Sequence, residues 1–310
     1  MAISITTTSV GTPVERLFSD LVLGCQTLER NVAQVLMGYQ EDGIVVNRLY
    51  SGSQAIIAAI ATPTTAADNT TKDEVLISPA EIMYYDTFNP KNFNVDWKML
   101  WAEGPEVRQR AAQTLLNALL PSVRTAFNYD LEQLLWNGDT TSGDAWLDPI
   151  DGFVKLIDAD ATVNSVTPAG AVTASNVIAI LQAVLDAAPD AVIENSAPTI
   201  VTNHTIKRLY HNAIAALPNK GTDITDSARN TFMGYPITSV HGVPANRIFM
   251  MNTGQDDRAA LKVGTWMEGD RFNVLVDRLQ NNSDLFFIKI NMVVGVNHVY
   301  GKEIVEYSPA

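Results

Sequence analysis

Residues 105–136, PEVRQRAAQTLLNALLPSVRTAFNYDLEQLLW, read as one long helix closed by Asn137-Gly138-Asp139. Pro105 takes the favoured first-turn position, with Glu103 and Glu106 beside the positive end of the helix dipole. Asn137 and Gly138 tolerate the left-handed geometry that often ends a helix. Between these ends Val107, Ala111, Leu115, Leu119, Val123, Phe127, Leu131 and Leu135 recur every fourth residue, and Ala112, Leu116 and Leu120 widen the stripe. One face is expected to be buried along its length. Pro121 removes a backbone donor and crowds the preceding turn, which predicts a kink or two abutting helices there. An unbroken helix of this length would span about 48 Å, more than a compact domain usually needs. The reading favours a flat, extended building block over an enzyme, although the stripe also suits an ordinary long core helix.

Composition bounds the rest. The 310 residues are 46% hydrophobic and 18% charged, enough for a sizeable core in one large domain or two intertwined ones. The longest apolar run is Ala55 to Ala61, and Met1 to Val10 has no basic residue ahead of an apolar stretch. Neither a membrane span nor a secretory signal is read, and a soluble protein made inside the cell is expected. Cys25 is the sole cysteine, which rules out an internal disulfide and the multi-cysteine metal motifs, and it reads as a small buried apolar residue. A net charge of −13, from 21 basic and 34 acidic residues, argues against a protein that grips nucleic acid by neutralising phosphates. The basic pairs Arg108 with Arg110 and Lys207 with Arg208 are short and sit on predicted helices. An acidic wall facing packed DNA would repel it, as a container should.

Along the chain, Thr12-Pro13-Val14-Glu15 fits a capping box, and Val14, Leu17, Phe18 and Leu21 then predict a short helix ending at Gly24. Ile44 to Tyr50 and Glu74 to Tyr85 read as extended segments around a flexible tip, Ala61 to Lys72, which suggests a projecting hairpin. Tyr84, Tyr85, Phe88, Phe93, Trp97 and Trp101 mark a packing surface or an interface. Thr173 or Ser175 opens a helix whose Val177, Ile178, Leu181, Val184 and Leu185 share a face, and Pro189 stops it. A strand over Pro198 to Thr202, a helix over Thr205 to Leu217 and a loop over Pro218 to Asn230 follow. Gly234-Tyr235-Pro236-Ile237 and Val243-Pro244 punctuate two short strands, the second being Arg247 to Met251. Arg271 to Leu279, Leu285 to Val294 and His298 to Tyr307 read as terminal strands. The fold class is α+β.

No chemical site emerges. His204 and His211 are seven apart on one predicted helix without a zinc-protease glutamate, and His241 and His298 are assigned to unrelated strands. There is no phosphate-binding glycine loop and no nucleophile elbow, and Cys25 lacks an activating setting. Asp148 with Asp151, Asp256 with Asp257 and Asp139 with Asp144 could bind calcium or do acid/base work, but beside proline and glycine they read as turn formers. Asn69-Thr70-Thr71, Asn203-His204-Thr205 and Asn281-Asn282-Ser283 match the glycosylation pattern, which a chain without a secretory signal does not use. No catalytic, cofactor-binding or metal residue is assigned.

The order of segments resembles the major capsid protein of tailed bacteriophages, the Johnson fold. The resemblance rests on a hairpin before a long helix and on Leu134-Leu135-Trp136-Asn137-Gly138-Asp139 leading into Asp148-Pro149-Ile150-Asp151-Gly152-Phe153. It continues through Thr199-Ile200-Val201-Thr202-Asn203, Met233-Gly234-Tyr235-Pro236-Ile237 and Asn297-His298-Val299-Tyr300-Gly301-Lys302-Glu303-Ile304, and spans about residues 30 to 310. It implies an N-terminal arm (1–35), an extended E-loop with flanking strands (36–95) and a P-domain spine helix (96–150). An A-domain (151–270) and C-terminal P-domain strands (271–310) complete the division. The implied function is a non-enzymatic subunit that self-assembles as hexamers and pentamers into an icosahedral head around double-stranded DNA. Such a subunit is assembled in the host cytoplasm and located in the virion, with a separate scaffolding protein or a prior cleavage of the chain implied, a portal and decoration proteins as partners, and no membrane. The arm and the hairpin tip are expected to be mobile in free subunits. Cross-linking through a loop lysine is not expected, since the tip offers only Lys72 and no partner is assigned. An encapsulin-like shell and an α+β enzyme or ligand-binding domain are the alternatives.

Overall fold

A computed structural model describes residues 25–38, 43–51, 70–88, 123–167, 170–195, 198–216, 230–266, 275–279 and 285–309. The described chain opens with one helical turn, α1 (Gln26–Glu29), and reverses through Asn31 at φ 53° into β1 (Ala33–Met37). Cys25, Leu28, Val32 and Ala33 are all buried in the main core. The expected arm of residues 1–35 thus has its final stretch built into the fold, because β1 pairs in parallel with β10 (Leu261–Trp266). Residues 1–24, with their predicted helix, lie outside the described residues.

Of the segment predicted as one long helix, residues 123–137 are described, and they form the helix α2. Val123, Phe127, Leu131 and Leu135 are buried together with Leu134 and Trp136, so the period-four stripe faces the core there as expected. Residues 105–122, including the predicted kink at Pro121, fall outside the described residues. The helix end differs from its expectation in one respect: neither Asn137 nor Gly138 has positive φ. Gly138 is needed for space, since a Cβ there would lie 2.6 Å from the Leu134 carbonyl oxygen. The Gly152 amide donates to the Gly138 carbonyl at 2.8 Å, so two backbones cross in direct contact where the chain enters α3 (Phe153–Ala159).

Two sheets and a separate hairpin carry the strands. The hairpin pairs β2 (Gly43–Ser51) with β3 (Thr70–Ile77) in antiparallel fashion, with an irregularity between Ile44 and Val46. Lys72 is opposite Leu49 inside this ladder, which corrects its placement in the flexible tip. Ser78 and Pro79 then split the expected segment Glu74 to Tyr85 into β3 and β4 (Ala80–Phe88), which joins a different sheet. The centre of that sheet is β12 (Phe286–His298), a 13-residue strand with β4 along one edge and both β10 and β11 (Leu275–Arg278) along the other. The expected break at Val294 does not occur, because Val294 to His298 pair with Leu261 to Thr265.

The second sheet runs β5-β13-β9-β6-β8-β7. Its members are β5 (Asn164–Val166), β6 (Thr199–Thr202), β7 (Thr231–Phe232), β8 (Tyr235–Ser239), β9 (Ile248–Met251) and β13 (Val305–Tyr307). The expected strand His298 to Tyr307 is broken by a 3-10 turn at Gly301–Glu303, which carries the chain from the first sheet into the second. The chain therefore passes between the sheets on both sides of residue 271, with β10 in the first sheet and β13 in the second. Inner strands β6 and β9 are apolar on both faces. Val201, Phe249 and Met251 enter the core beneath α2, whereas Ile200, Ile248 and Met250 enter a second core. That second core is closed by α4 (Val177–Asp186) and α6 (His204–Ala216).

Val177, Ile180, Leu181 and Val184 form the buried face of α4, with Ile178 and Leu185 at its margins. Its N-terminal residue is Asn176 rather than Thr173 or Ser175; the Asn176 side chain accepts from the Thr173 amide at 2.7 Å instead of capping the helix. Pro189 ends this helix but also begins α5 (Asp190–Asn195), its carbonyl accepting from the Val192 and Ile193 amides. The loop predicted over Pro218 to Asn230 lies outside the described residues except at Asn230.

Candidate functional site

The base of the β2–β3 hairpin is seated on β12. Gly295 leaves bare backbone where Ser78-Pro79 turn, and a Cβ there would stand 2.8 Å from both the Ile77 side chain and Pro79. Asn297 Nδ2 donates to the Leu76 carbonyl at 2.6 Å, fixing the last residues of β3 against the same strand. Of the aromatic cluster, Tyr84 meets Phe127 edge-on at 5.9 Å and Phe88 stacks on Phe286 at 5.8 Å. The exposed Tyr85 stacks on Phe287 on the opposite face of the sheet. A two-stranded ladder is marginal by itself, and these contacts anchor the hairpin at its base.

A buried polar chain ties α1 to α2. Glu132 is 2% exposed and accepts from the Thr27 amide at 3.1 Å and from the Thr27 hydroxyl, while Trp136 Nε1 donates to that hydroxyl oxygen at 2.7 Å. Burial pushes the Glu132 carboxyl up, against the Thr27 and Gly242 hydrogen bonds and the nearby His241. Cys25 sits beside it, and burial, followed by the Glu132 charge, pushes its thiol well above the ordinary range. A buried thiol held protonated is no nucleophile, which agrees with its reading as a packing residue.

The acidic residues regroup. Asp139 and Asp151, from different expected pairs, converge on Lys155 Nζ at 2.6 Å each. Asp139 also accepts from the Thr141 amide and hydroxyl, and Asp151 from those of Thr140, as turn formers do. Hydrogen bonds from Lys155 and Thr141 hold the Asp139 carboxyl down at about 2. Asp256 and Asp257 offer their carbonyls, at 3.4 and 3.1 Å, to the buried Lys262.

The histidines separate. Gln26 Oε1 stands 3.0 Å from His204 Nε2 and accepts from the His241 amide at 3.1 Å, while His211 lies further along α6. His241 occupies a loop after β8, not a strand. His298 Nε2 pairs with Asp160 Oδ2 at 2.9 Å and so ties the end of β12 to the loop after α3. Among the described residues no group of three His, Cys, Asp or Glu side chains could hold a metal, and no helix is long and apolar enough to cross a membrane. The meeting of residues 26, 204 and 241 was invisible in the sequence, which has no periodicity linking them.

A second buried carboxylate predicts a pH dependence. Glu306 on β13 and Asp158 on α3 flank Arg247, whose NH1 and NH2 bond Asp158 at 2.6 and 2.8 Å and whose NH1 also meets Glu306. Burial raises the Glu306 carboxyl to about 7; Arg247 opposes this and Asp158 adds to it. A carboxyl raised on folding contributes stability that is full below its unfolded value and is lost as pH rises through about 7. Melting temperature should therefore fall between pH 5 and 8, by the equivalent of about 2 to 3 kcal/mol. Glu306→Gln should flatten that slope, and an unchanged slope in the variant would remove Glu306 as its source.

No protein-family model and no curated protein sequence matches this chain. Solved structures do match it over nearly its full length. A chain of the satellite phage P4 procapsid that includes the size determination (Sid) protein aligns over 99% of this chain and 93% of its own, with a TM-score of 0.60 at 12% identity. A chain of the capsid of an empty GTA particle aligns over 99% and 94%, with a TM-score of 0.52 at 16% identity. A chain of the virus-like particle from Pyrococcus furiosus aligns over 95% and 96%, with a TM-score of 0.53 at 10% identity. The mixed α+β architecture of this chain is a fold that chains of phage capsid particles also have.

Proposed function

We propose that this protein is the major capsid protein of a tailed phage, a non-enzymatic subunit that self-assembles as hexamers and pentamers into an icosahedral shell around double-stranded DNA. The observation that carries this reading is the full-length likeness to chains of capsid particles, centred on the P4 procapsid chain. In this reading β2 and β3 are the E-loop, lying on a neighbouring subunit that supplies the cover an isolated ladder needs. The helix α2 belongs to the spine, with the five-stranded sheet as the P-domain. The six-stranded sheet with α4 and α6 is the A-domain, and β10 and β13 interlock the two. Scaffolding, portal and decoration proteins are the expected partners, and the virion capsid is the location. The net charge of −13 suits a wall that encloses DNA without adhering to it.

Light scattering after size exclusion, with negative-stain microscopy of the large fractions, tests this. Closed shells, or rings near six times 33.8 kDa, are expected, whereas a monomer at all concentrations, with or without co-expressed scaffold, would refute it. Replacing residues 52–69 with a short glycine-containing turn should leave the melting temperature within a few degrees of wild type and abolish closed shells. Normal shells from that variant would remove the hairpin from the assembly. The likeness to the Pyrococcus furiosus virus-like particle supports a second reading, a shell around protein cargo. Nuclease-resistant DNA in particles from the native source favours the first reading, and co-purifying protein the second.

A further inference from the structure

The loop between α2 and α3 presents an aromatic that folding leaves in water. Trp146 is 54% exposed, yet the backbone on both sides of it is fixed. The Asp144 carbonyl accepts from the Leu147 and Asp148 amides at 2.8 and 3.0 Å, and the Asp139 amide donates to the Leu147 carbonyl at 2.9 Å. Asp148 Oδ1 accepts from the Ser142 hydroxyl at 2.7 Å and from the Gly143 amide at 3.1 Å, and Lys155 clamps Asp139 to Asp151. A large indole on so braced a loop loses little freedom when it is covered, which is the property of an interface anchor. Beside it the exposed Asp144 carboxylate makes no hydrogen bond or ion pair among the described residues.

Elsewhere on the chain a cationic ledge has the opposite need. His204 and Lys207 lie one turn apart on α6, and His204 shares Gln26 with His241. Arg30 reaches the same place from the end of α1, donating to the Ser239 carbonyl and, at 3.2 Å, to its hydroxyl. Arg30 and His204 are exposed, Lys207 is half-buried, and the Lys207 ammonium meets no acceptor among the described residues. Burial, followed by the charge of Arg30, pushes both His204 and Lys207 down, as expected of cations crowded together without an anion.

We propose that this loop is a contact knob, Trp146 and Asp144 of one copy seating on the Arg30, His204 and Lys207 ledge of the next. The knob supplies a carboxylate and an aromatic face, the ledge supplies cations that suit both. The two surfaces are different parts of one chain, so the contact is head-to-tail, the kind that forms a ring when the rotation from copy to copy closes. The proposal rests on the capsid reading and specifies one contact within it.

Asp144→Lys and Lys207→Glu test it, with melting temperature as the fold control, since Asp144 is exposed and Lys207 only half-buried. Each is expected to melt like wild type and to lose at least tenfold in ring or shell formation at equal concentration. The chain carrying both changes should recover it, as should a mixture of the two single variants in even-membered rings. Trp146→Ala should weaken assembly at low and high salt alike. Normal assembly of the single variants, or no recovery in the double, overturns the contact. So does a Lys207→Glu chain that assembles normally but loses retention on double-stranded DNA, which would turn the ledge toward nucleic acid. A wild type that stays monomeric defeats the capsid reading, and this contact with it.

Discussion

Replacing Gly152 with alanine should leave little or no soluble, folded protein, a loss larger than about 4 kcal/mol by the usual scale of severe core disruption. The new Cβ would lie 2.6 Å from the Gly138 amide nitrogen and 2.6 Å from the Trp136 carbonyl oxygen. Neither atom belongs to a side chain that can swing aside; relief requires moving the end of α2 away from the start of α3. Gly143→Ala is the control, since its φ of 77° disfavours alanine but nothing lies within 4 Å of the new atom. That change should cost only about 1 kcal/mol. Soluble expression followed by thermal melting separates the two, and a Gly152→Ala variant melting within a few degrees of wild type would mean that the crossing is not rigid.

Trp136→Ala should be the next most damaging change, costing about 3 to 5 kcal/mol. The indole is fully buried, packs on Phe153 and Phe249 with ring centroids 5.4 and 5.6 Å away, and donates its Nε1 hydrogen to Thr27. Its removal leaves a cavity where α2, α3 and β9 meet, and frees a lone pair on a hydroxyl already committed to buried Glu132. Trp136→Phe keeps most of the volume and isolates the hydrogen bond, at about 1 kcal/mol. Denaturant midpoints at constant slope measure both, and a loss below 1 kcal/mol for the alanine variant would contradict the placement of this ring at the junction.

The helix stripe was legible because burial on one face writes a period into the sequence, and Phe127, Leu131 and Leu135 carry it plainly. The β6 and β9 strands were legible as short apolar runs for the opposite reason, burial on both faces. Gly138 was located but misread: glycine at a helix end signals left-handed backbone more often than close approach, and only the distant Gly152 distinguishes them. Strand β10 escaped notice because Lys262 and Gly264 interrupt its apolar pattern; Lys262 is buried only by virtue of the carbonyls of Asp256 and Asp257 and the Gln34 side chain. Strand β1 escaped because its partner is more than two hundred residues away. The ledge of Arg30, His204 and Lys207 could not be read at all, since two distant parts of the chain assemble it and neither has a motif of its own.

The position of β13 between β5 and β9 has a consequence in time. Its three residues, Val305–Tyr307, leave the ribosome after every other described strand, yet β5 has no other described partner strand and Tyr307 closes the second core, its hydroxyl donating to the Gly170 carbonyl at 2.6 Å. A nascent chain can therefore form α2 and local turns, but it cannot finish the six-stranded sheet until Tyr307 has emerged. Pairings of such long sequence separation are slow to form. Chains whose ribosomes have not yet passed Tyr307 would thus hold the other five strands of that sheet with β5 still unpaired, so the second half of the fold sets only after residues far apart in the sequence have all emerged.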